Sequence, residues 1–236
     1  MKAILYVAHG SRLSEKNREF RAFVAEIMQK RQESCQEIAF LEKEDESLPL
    51  VGEAMIAEGA TEITVMPMLL FPAMHATKDI PEHVARLQSA HPSVKFYIAD
   101  TFGAELETVE VAATRIRDAK PSPNATILVI AHGSASYNEP RNQMENVVTK
   151  LSAEIGIKVK LGMLHGEPNY KQIAAELGRI KSPVYWMPYF LFTGQLVDKI
   201  RAGITEINSD FYETSCLELD KQLAAAVIRK IEEAQS

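Results

Sequence analysis

The sequence predicts an α/β protein built from two similar domains, each with a parallel sheet covered by helices. Three observations predict this fold: a duplicated sequence, a regular alternation of strand and helix patterns, and strand segments that are apolar throughout. An apolar run without polar alternation is typical of a strand buried on both faces. Alternating strands and helices favour a parallel sheet with right-handed crossovers.

The duplication is visible in two pairs of short segments. ILYVAHGS at 4–11 reappears as ILVIAHGS at 127–134, with six identities in eight residues. MPMLLF at 66–71 reappears as MPYFLF at 187–192, with four identities in six. Because the two matches keep their order and nearly the same offset, they indicate an internal repeat rather than chance.

The boundary between the repeats is predicted in the segment KPSPN at 120–124, whose prolines stop a helix. We therefore predict an N-terminal α/β domain over 1–120 that carries the functional side chains. The C-terminal α/β domain, over 121–236, is predicted to form the opposite wall of a cleft. Parallel sheets bind ligands outside the carboxyl ends of their strands, so the functional residues are expected at such an edge.

Within the first half, the pattern predicts four strands that alternate with four helices. The helix before the boundary carries an apolar stripe that begins at Leu106 and includes Val109. Asp79 and Glu82 flank Ile80-Pro81 as a capping box that would open the third helix. The second half repeats this order. The strands are predicted over 4–8, 38–41, 63–71 and 96–99.

Composition and charge exclude several classes of protein. The 236 residues are 46% hydrophobic and 25% charged, which is typical of a globular protein. The net charge of −6 provides no basic field for nucleic acid. No segment approaches the roughly 20 apolar residues of a membrane span. The two cysteines, Cys35 and Cys216, form no C-x-x-C pattern, which favours a reducing cytoplasm over a disulfide framework.

Three side chains that can bind a metal follow the first three predicted strands. His9 follows the first strand, Glu42 the second, and His75 lies just beyond the third. Two imidazoles and a carboxylate suit a borderline divalent metal such as Fe, Co, Ni or Zn, although the carboxylate can instead accept protons. Each of the three taken alone is more often a loop residue than a ligand. Their convergence at one edge of a sheet favours a functional site.

The second repeat serves as an internal control for these three positions. His132 corresponds to His9, His165 corresponds to Glu42, and Leu196 corresponds to His75. A shared structural role in the turn can therefore explain His9 and His132, but it cannot explain His75. A second, poorer metal site at His132 and His165 is the less favoured alternative.

The turns that follow the first strand of each repeat are predicted anion sites. Gly10-Ser11 and Gly133-Ser134 each lie between a strand and a helix, where free backbone N–H groups and the helix dipole attract anions. Neither turn is part of the phosphate-binding motifs G-x-G-x-x-G or G-K-S/T, so the expected ligands are carboxylates. Arg12 can pair with such a carboxylate, or it can be an ordinary exposed cation.

Four segments resemble the family of sirohydrochlorin chelatases and cobaltochelatases, the class II enzymes that insert a metal into a tetrapyrrole. They are VAHGSR at 7–12, FLE at 40–42, PMLLFPAMHATKDIP at 67–81 and PYFLFTGQL at 188–196. The resemblance covers nearly the whole chain, and the last segment is similar to the second half of the long, duplicated form. The motif H-G-S-R alone is weak, but with a histidine and D-I-P after the third strand it is fairly specific.

The resemblance implies two flavodoxin-like domains related by a pseudo-twofold, with the active site in the cleft between them. It implies that sirohydrochlorin, a macrocycle with eight carboxylates, receives a divalent metal and releases two protons. His9 and His75 would hold the metal and Glu42 would move protons. Gly10, Ser11, Arg12, Gly133 and Ser134 would contact the carboxylates. The metal is thus a substrate, and no organic cofactor is implied.

Several alternatives stay open at this point. Iron is favoured over cobalt or nickel because the chain lacks a His-rich tail. A metal carrier using the same histidines would bind metal without speeding its insertion. A hydrolase with His9 as phosphoryl acceptor is disfavoured because the sequence has no R-H-G triad there. Since the duplicated chain already supplies two domains, we expect a monomer that has no nucleic-acid or membrane partner.

Overall fold

The computed structural model describes residues 1–11, 14–43 and 45–236, and the chain divides into two compact units. Unit 1 comprises Met1–Phe102 together with Lys221–Ser236, and unit 2 comprises Gly103–Asp220. Within the described residues, each unit holds one sheet of four parallel strands. This arrangement confirms the predicted α/β fold with duplicated parallel sheets.

Strands and helices alternate along almost the whole chain. The sheet of unit 1 has the order β2-β1-β3-β4 and that of unit 2 the order β6-β5-β7-β8, so the two repeats share one topology. The elements are β1 (Lys2–Ala8), α1 (Ser14–Met28), β2 (Cys35–Phe40), α2 (Leu48–Ala57), β3 (Glu62–Pro67), a π-helical turn (His75–Asp79), α3 (Ile80–Ala90), β4 (Lys95–Ile98), α4 (Leu106–Asp118), β5 (Thr126–Gly133), α5 (Glu139–Ile155), β6 (Lys158–His165), α6 (Tyr170–Leu177), β7 (Val184–Pro188), α7 (Gln195–Ile207), β8 (Tyr212–Glu213) and α8 (Leu223–Gln235).

The central strand of unit 1, β1, is buried on both faces. Ala3, Leu5 and Val7 belong to a core that also contains apolar side chains of α2 and α3. The alternate residues Ile4 and Tyr6 point to the opposite face and are also buried. Burial on both faces explains why the sequence of this strand is apolar throughout.

The last helix of each sequence repeat belongs to the compact unit that is formed mainly by the other repeat. Helix α4, from the first repeat, packs against α5 in unit 2, where its Arg115 forms an ion pair with Asp220 at 2.8 Å. Helix α8, from the second repeat, packs against α1, β3 and β4 in unit 1. There Arg31 forms an ion pair with Glu232 at 2.9 Å. The compact units therefore differ from the predicted ranges 1–120 and 121–236.

Three local predictions differ from the structure. Strand β3 ends at Pro67 rather than at residue 71. Asp79 does not cap α3: its φ of −64° and ψ of −49° are helical, because a π-helical turn starts before it, whereas a capping residue is normally extended. Leu106 is 56% exposed and lies outside the buried stripe of α4, because it is the first residue of that helix.

No helix in the described part of the chain is both long and apolar enough to cross a membrane.

Candidate metal centre at the strand ends

The first two predicted site residues lie side by side because β1 and β2 are paired in parallel. Ala8 is in register with Phe40, so both strands end at the same edge. The pairing continues beyond the strands, since Leu41 N–H donates to the carbonyl of Ala8 and Glu42 N–H donates to that of His9 at 3.0 Å. This backbone ladder places His9 and Glu42 next to each other.

The structure brings His9, Glu42 and His75 together at this edge. The rings of His9 and His75 are 4.8 Å apart between centroids and meet edge to face at 83°. The Nε2 atom of His9 lies 3.5 Å from an oxygen of Glu42. The side chains of His9 and Glu42 are 46% and 55% exposed, so solvent and a ligand can reach them.

Backbone and side-chain acceptors orient both imidazoles in the same way. The Nδ1 atom of His9 lies 3.2 Å from the carbonyl oxygen of Gly10. That of His75 lies 2.7 Å from a carboxylate oxygen of Asp79. Since both partners are acceptors, each Nδ1 carries the proton and donates it. The lone pair of each ring is then on Nε2, which is the tautomer that binds a metal.

Asp79 is a site residue that the sequence analysis missed. It lies four residues after His75, at the other end of the π-helical turn, and this spacing places the two side chains on one face. Both side chains are partly buried, since each is only about 30% exposed. A carboxylate on the far nitrogen of a ligating histidine fixes the ring and raises its basicity. The spacing H-x-x-x-D was the available signal.

The two imidazoles lie in an open arrangement rather than in a closed cage of potential metal ligands. Over residues 1–11, 14–43 and 45–236, no group of three or more His, Cys, Asp or Glu is arranged to hold a metal ion. Glu42 therefore stands beside His9 and not in a ready-made third ligand position. An open pair leaves coordination positions for water or a substrate, as in sites that release or transform what they bind.

The predicted anion turn at Gly10-Ser11 is closed by Asn17. Ser11 N–H donates to the Asn17 side chain at 2.9 Å, and the Asn17 amide donates back to the Ser11 carbonyl at 2.7 Å. The N–H of Ser11 is thus engaged within the protein, whereas the prediction required it to be free. Arg12 lies outside the described residues.

A cavity of about 630 Å³ opens next to this turn and supplies cations that the sequence analysis did not identify. Arg21 and Lys43 both form ion pairs with Glu46. The hydrogen bond from Lys43, together with the charge of Arg21, lowers the pKa of Glu46 below its ordinary value. The cavity therefore combines two anchored cations with one exposed cation, Arg18. Its lining consists of Gly10, Ser11, Ser14, Asn17, Arg18, Arg21, Glu42 and Lys43.

The corresponding turn in unit 2 has a different closure. The hydroxyl of Ser134 accepts hydrogen bonds from the backbone N–H groups of Ser136 and Tyr137, at 3.2 and 3.1 Å. Gly133 has a positive φ of 67°, and a Cβ at this position would lie 2.2 Å from the carbonyl oxygen of His165. The turn therefore fits closely against the end of β6.

Unit 2 also contains a histidine pair, in which His132 corresponds to His9 but His165 corresponds to Glu42. His132 and His165 have ring centroids 5.0 Å apart, whereas Leu196, which corresponds to His75, is 40% exposed. Partial burial, the neighbouring His132 and the charge of Lys199 all lower the pKa of His165 below its ordinary value of 6.5. His165 is thus biased towards its neutral form.

The chain matches the CbiX family model twice, over residues 3–119 and 126–234. It is 30% identical to the sirohydrochlorin ferrochelatase of Bacillus subtilis strain 168, over 98% of this chain and 91% of that protein. Two solved structures are similar at 29% identity, each covering 99% of this chain and 95% of its own. They are SirB from Bacillus subtilis with Fe³⁺, with a TM-score of 0.90, and the SirB chelatase of subspecies spizizenii in complex with cobalt, with a TM-score of 0.86.

Proposed function

The chain belongs to the CbiX family, and from this premise we propose that it is a sirohydrochlorin ferrochelatase. It inserts Fe²⁺ into the macrocycle, and the two pyrrole N–H protons are released as the metal–nitrogen bonds form. The observation that carries the proposal is the imidazole pair of His9 and His75, 4.8 Å apart at the strand ends, with Glu42 beside it.

In this proposal, His9 and His75 hold the metal through their Nε2 atoms. The carbonyl of Gly10 and the carboxylate of Asp79 keep both rings in the tautomer with a free lone pair on Nε2. Two protein ligands replace part of the hydration shell of the ion and leave its other positions open. Such weak, open ligation suits a metal that must leave for the macrocycle.

Glu42 is the proposed proton acceptor. Its carboxylate is exposed and lies 3.5 Å from Nε2 of His9, so it reaches the place where the metal and the pyrrole N–H groups would meet. A negative carboxylate there also lowers the energy of the incoming cation. The protons pass from it to solvent.

The carboxylates of the macrocycle are the proposed ligands of the cationic cavity in unit 1. Arg18, Arg21 and Lys43 line the cavity together with Glu42, so the carboxylate groups and the metal would be held at neighbouring places. The turns Gly10-Ser11 and Gly133-Ser134, and Arg12, remain predicted contacts for these groups. Because Ser11 N–H is engaged by Asn17, the side chains of the cavity carry more of this role than the backbone does.

A direct test compares single substitutions in the first histidine pair with a matched one in the second. His9→Ala and His75→Ala should each lower the rate of metal insertion, followed as loss of the free macrocycle's absorbance. The loss should exceed the roughly 10- to 100-fold typical of changes to residues that only orient a metal ligand. His132→Ala should retain most of the activity. Glu42→Gln should lower insertion by about 100-fold or more while metal binding persists. If His132→Ala abolishes insertion and His75→Ala does not, the assignment is wrong.

Iron is the proposed metal because the Bacillus subtilis relative is a ferrochelatase. Cobalt is the alternative, since one similar structure holds it. Affinity rises from Fe to Co to Ni at most nitrogen and oxygen sites, so cobalt binding by itself does not identify the native metal. An anaerobic assay in which Fe²⁺ and Co²⁺ compete for one pool of sirohydrochlorin decides between them. A metal carrier would bind either ion without accelerating insertion.

We also propose that the protein acts as a cytoplasmic monomer that needs neither membrane nor nucleic acid. The observation in favour of a reducing compartment is that Cys35 and Cys216 are both buried free thiols.

A further inference from the structure

A second histidine pair lies at the strand ends of unit 2. Strands β5 and β6 are paired in parallel, with Gly133 in register with His165. This register places His132 and His165 side by side, with ring centroids 5.0 Å apart and ring planes at 57°. Both residues are exposed, although partly covered by neighbouring groups, so solvent can reach the pair.

The separation of the rings fits two imidazoles that share one metal ion. Metal–nitrogen bonds of about 2.1 Å, meeting at roughly 90° to 110°, place two ring centroids about 5 Å apart. The Nδ1 atom of His132 lies 2.9 Å from the carbonyl oxygen of Gly133, so Nδ1 donates and Nε2 keeps its lone pair. His9 is oriented in the same way by Gly10.

The surroundings of this pair differ from those of His9 and His75. His165 stands where the first repeat has Glu42, and Leu196 stands where it has His75. Across the described residues, no carboxylate forms an ion pair with His132 or His165. The pair therefore has two imidazoles for a metal but, unlike His9, no carboxylate of the described residues within ion-pair distance of either ring.

We propose that His132 and His165 form a second metal-binding site, which takes a borderline divalent ion such as Fe²⁺, Co²⁺, Ni²⁺ or Zn²⁺ and holds it without inserting it. Water completes the coordination of the ion. The proposal goes beyond the proposed chelatase activity and does not depend on it, because metal binding in unit 2 requires no macrocycle.

The charge of Lys199 acts on His165 and opposes a bound cation. The second site is therefore the weaker of the two. Lys199→Gln should tighten its affinity by about threefold or more, since it removes one repulsion from a dication. A site that bound an anion instead would respond in the opposite direction.

The test is a titration of the metal-free protein with Co²⁺, followed by calorimetry and by the visible absorption of the bound ion. The wild-type chain should bind two ions, His9→Ala/His75→Ala should bind one, and the further change His165→Ala should leave none. His91→Ala is the matched control, because it removes a half-buried histidine paired with Glu53, and it should keep both ions. Binding of no ion by His9→Ala/His75→Ala overturns the proposal.

A second measurement keeps the test decisive if the triple variant does not fold. In His9→Ala/His75→Ala, paramagnetic Co²⁺ should broaden the ring signals of His132 and His165 before those of His91. Broadening of His91 first, or of all three together, contradicts the assignment.

Discussion

At the residue scale, Asp79 contacts His75 instead of capping the helix that its sequence motif predicts. In the sequence, Asp79 followed by Ile80-Pro81 and Glu82 favours a helix cap. In the structure, the helical conformation begins at His75, so the Asp79 side chain does not cap α3. It accepts a hydrogen bond from Nδ1 of the histidine at 2.7 Å. The aspartate thus orients a proposed metal ligand.

Asp79→Asn should therefore weaken the first metal site without unfolding unit 1. The neutral amide preserves the shape but loses the negative charge beside Nδ1 of His75. Changes to a residue that holds a metal ligand in place lower metal affinity or activity by about 10- to 100-fold. Glu82→Gln is the matched control, because it neutralises an exposed carboxylate on the same helix whose ion pair with Arg86 is 4.0 Å long. Co²⁺ affinity and insertion rate measure both variants. Equal effects would show that Asp79 has no special role.

A second residue-scale prediction concerns the protonation of His165. Partial burial, His132 and Lys199 all disfavour its charged form, so its pKa lies below 6.5. Lys199→Gln and His132→Ala should each raise this pKa, because each removes a positive charge that acts on the imidazolium. A pH titration of the ring signals by NMR, in metal-free protein, measures the change. A pKa that stays constant in both variants would leave burial as the sole cause.

The sequence predicts His9, Glu42 and His75 because parallel strands end at one edge, and a residue that follows such a strand is placed by the sheet. Arg18, Arg21 and Lys43 were not identified by the same argument. Their place at the cavity depends on how α1 and the segment after β2 fold back and, for Arg21 and Lys43, on the shared partner Glu46. Side-chain pairs of this kind leave no periodic signal in the sequence.

At the element scale, the strands follow closely from the apolar runs, whereas their ends do not. The run 63–71 is apolar beyond Pro67, but β3 ends there. Proline has no N–H to donate, and one backbone bond follows it, from Met68 N–H to the carbonyl of Val7 at 2.7 Å. The segment after it leads into the π-helical turn. Hydrophobic pattern thus locates an element, and backbone hydrogen bonding decides where it stops.

The close approach between the ends of β5 and β6 requires a glycine at position 133, so a substitution there should lower stability. Gly133 and Gly156 share a φ of 67°, but a Cβ at Gly156 would meet nothing within 4 Å, whereas at Gly133 it would meet the backbone of His165. Gly156→Ala should cost about 1 kcal/mol of stability from the left-handed backbone alone. Gly133→Ala should cost roughly 3 kcal/mol or more, because β6 must also move.

Thermal and denaturant unfolding measure these two variants. Gly133→Ala should additionally lose the second Co²⁺ site, since His165 moves with the end of β6, whereas Gly156→Ala should keep it. An equal loss of stability in the two variants would mean that β6 can move away from a Cβ at position 133 at little cost in free energy.

At the scale of the whole molecule, the sequence predicts the duplication but not the composition of the compact units. The apolar stripes of α4 and α8 show that both helices are covered on one face. A stripe does not specify which sheet covers it, so the repeat boundary is the natural first division of the chain. The two matches to the family model coincide with the sequence repeats, at 3–119 and 126–234. Each folded unit, in contrast, contains the last helix of the other repeat.

This exchange predicts which part of the chain folds by itself. A fragment of residues 1–120 lacks α8, whose Leu223, Val227 and Ile231 are fully buried, and it carries α4 without its partners. A permuted chain that places 221–236 before 1–102 contains the whole of unit 1 and is nearly the same length. The two ends to be joined both lie beside β3. Glu62 N–H donates to the carbonyl of Met1, and the Gln235 side-chain amide donates to the hydroxyl of Thr64.

A flexible linker of about six Gly and Ser residues, spanning roughly 13 Å, should therefore join Ser236 to Met1 without strain. The permuted chain should melt cooperatively and bind one Co²⁺ at His9 and His75, because the first site and its sheet are intact. The 1–120 fragment should show no cooperative melt, since the surfaces of β3, β4 and α1 that α8 covers are exposed to water. Circular dichroism and the Co²⁺ titration compare the two. A fragment 1–120 as stable as the permuted chain would show that α8 contributes little to unit 1, and that the sequence repeat is the folding unit after all.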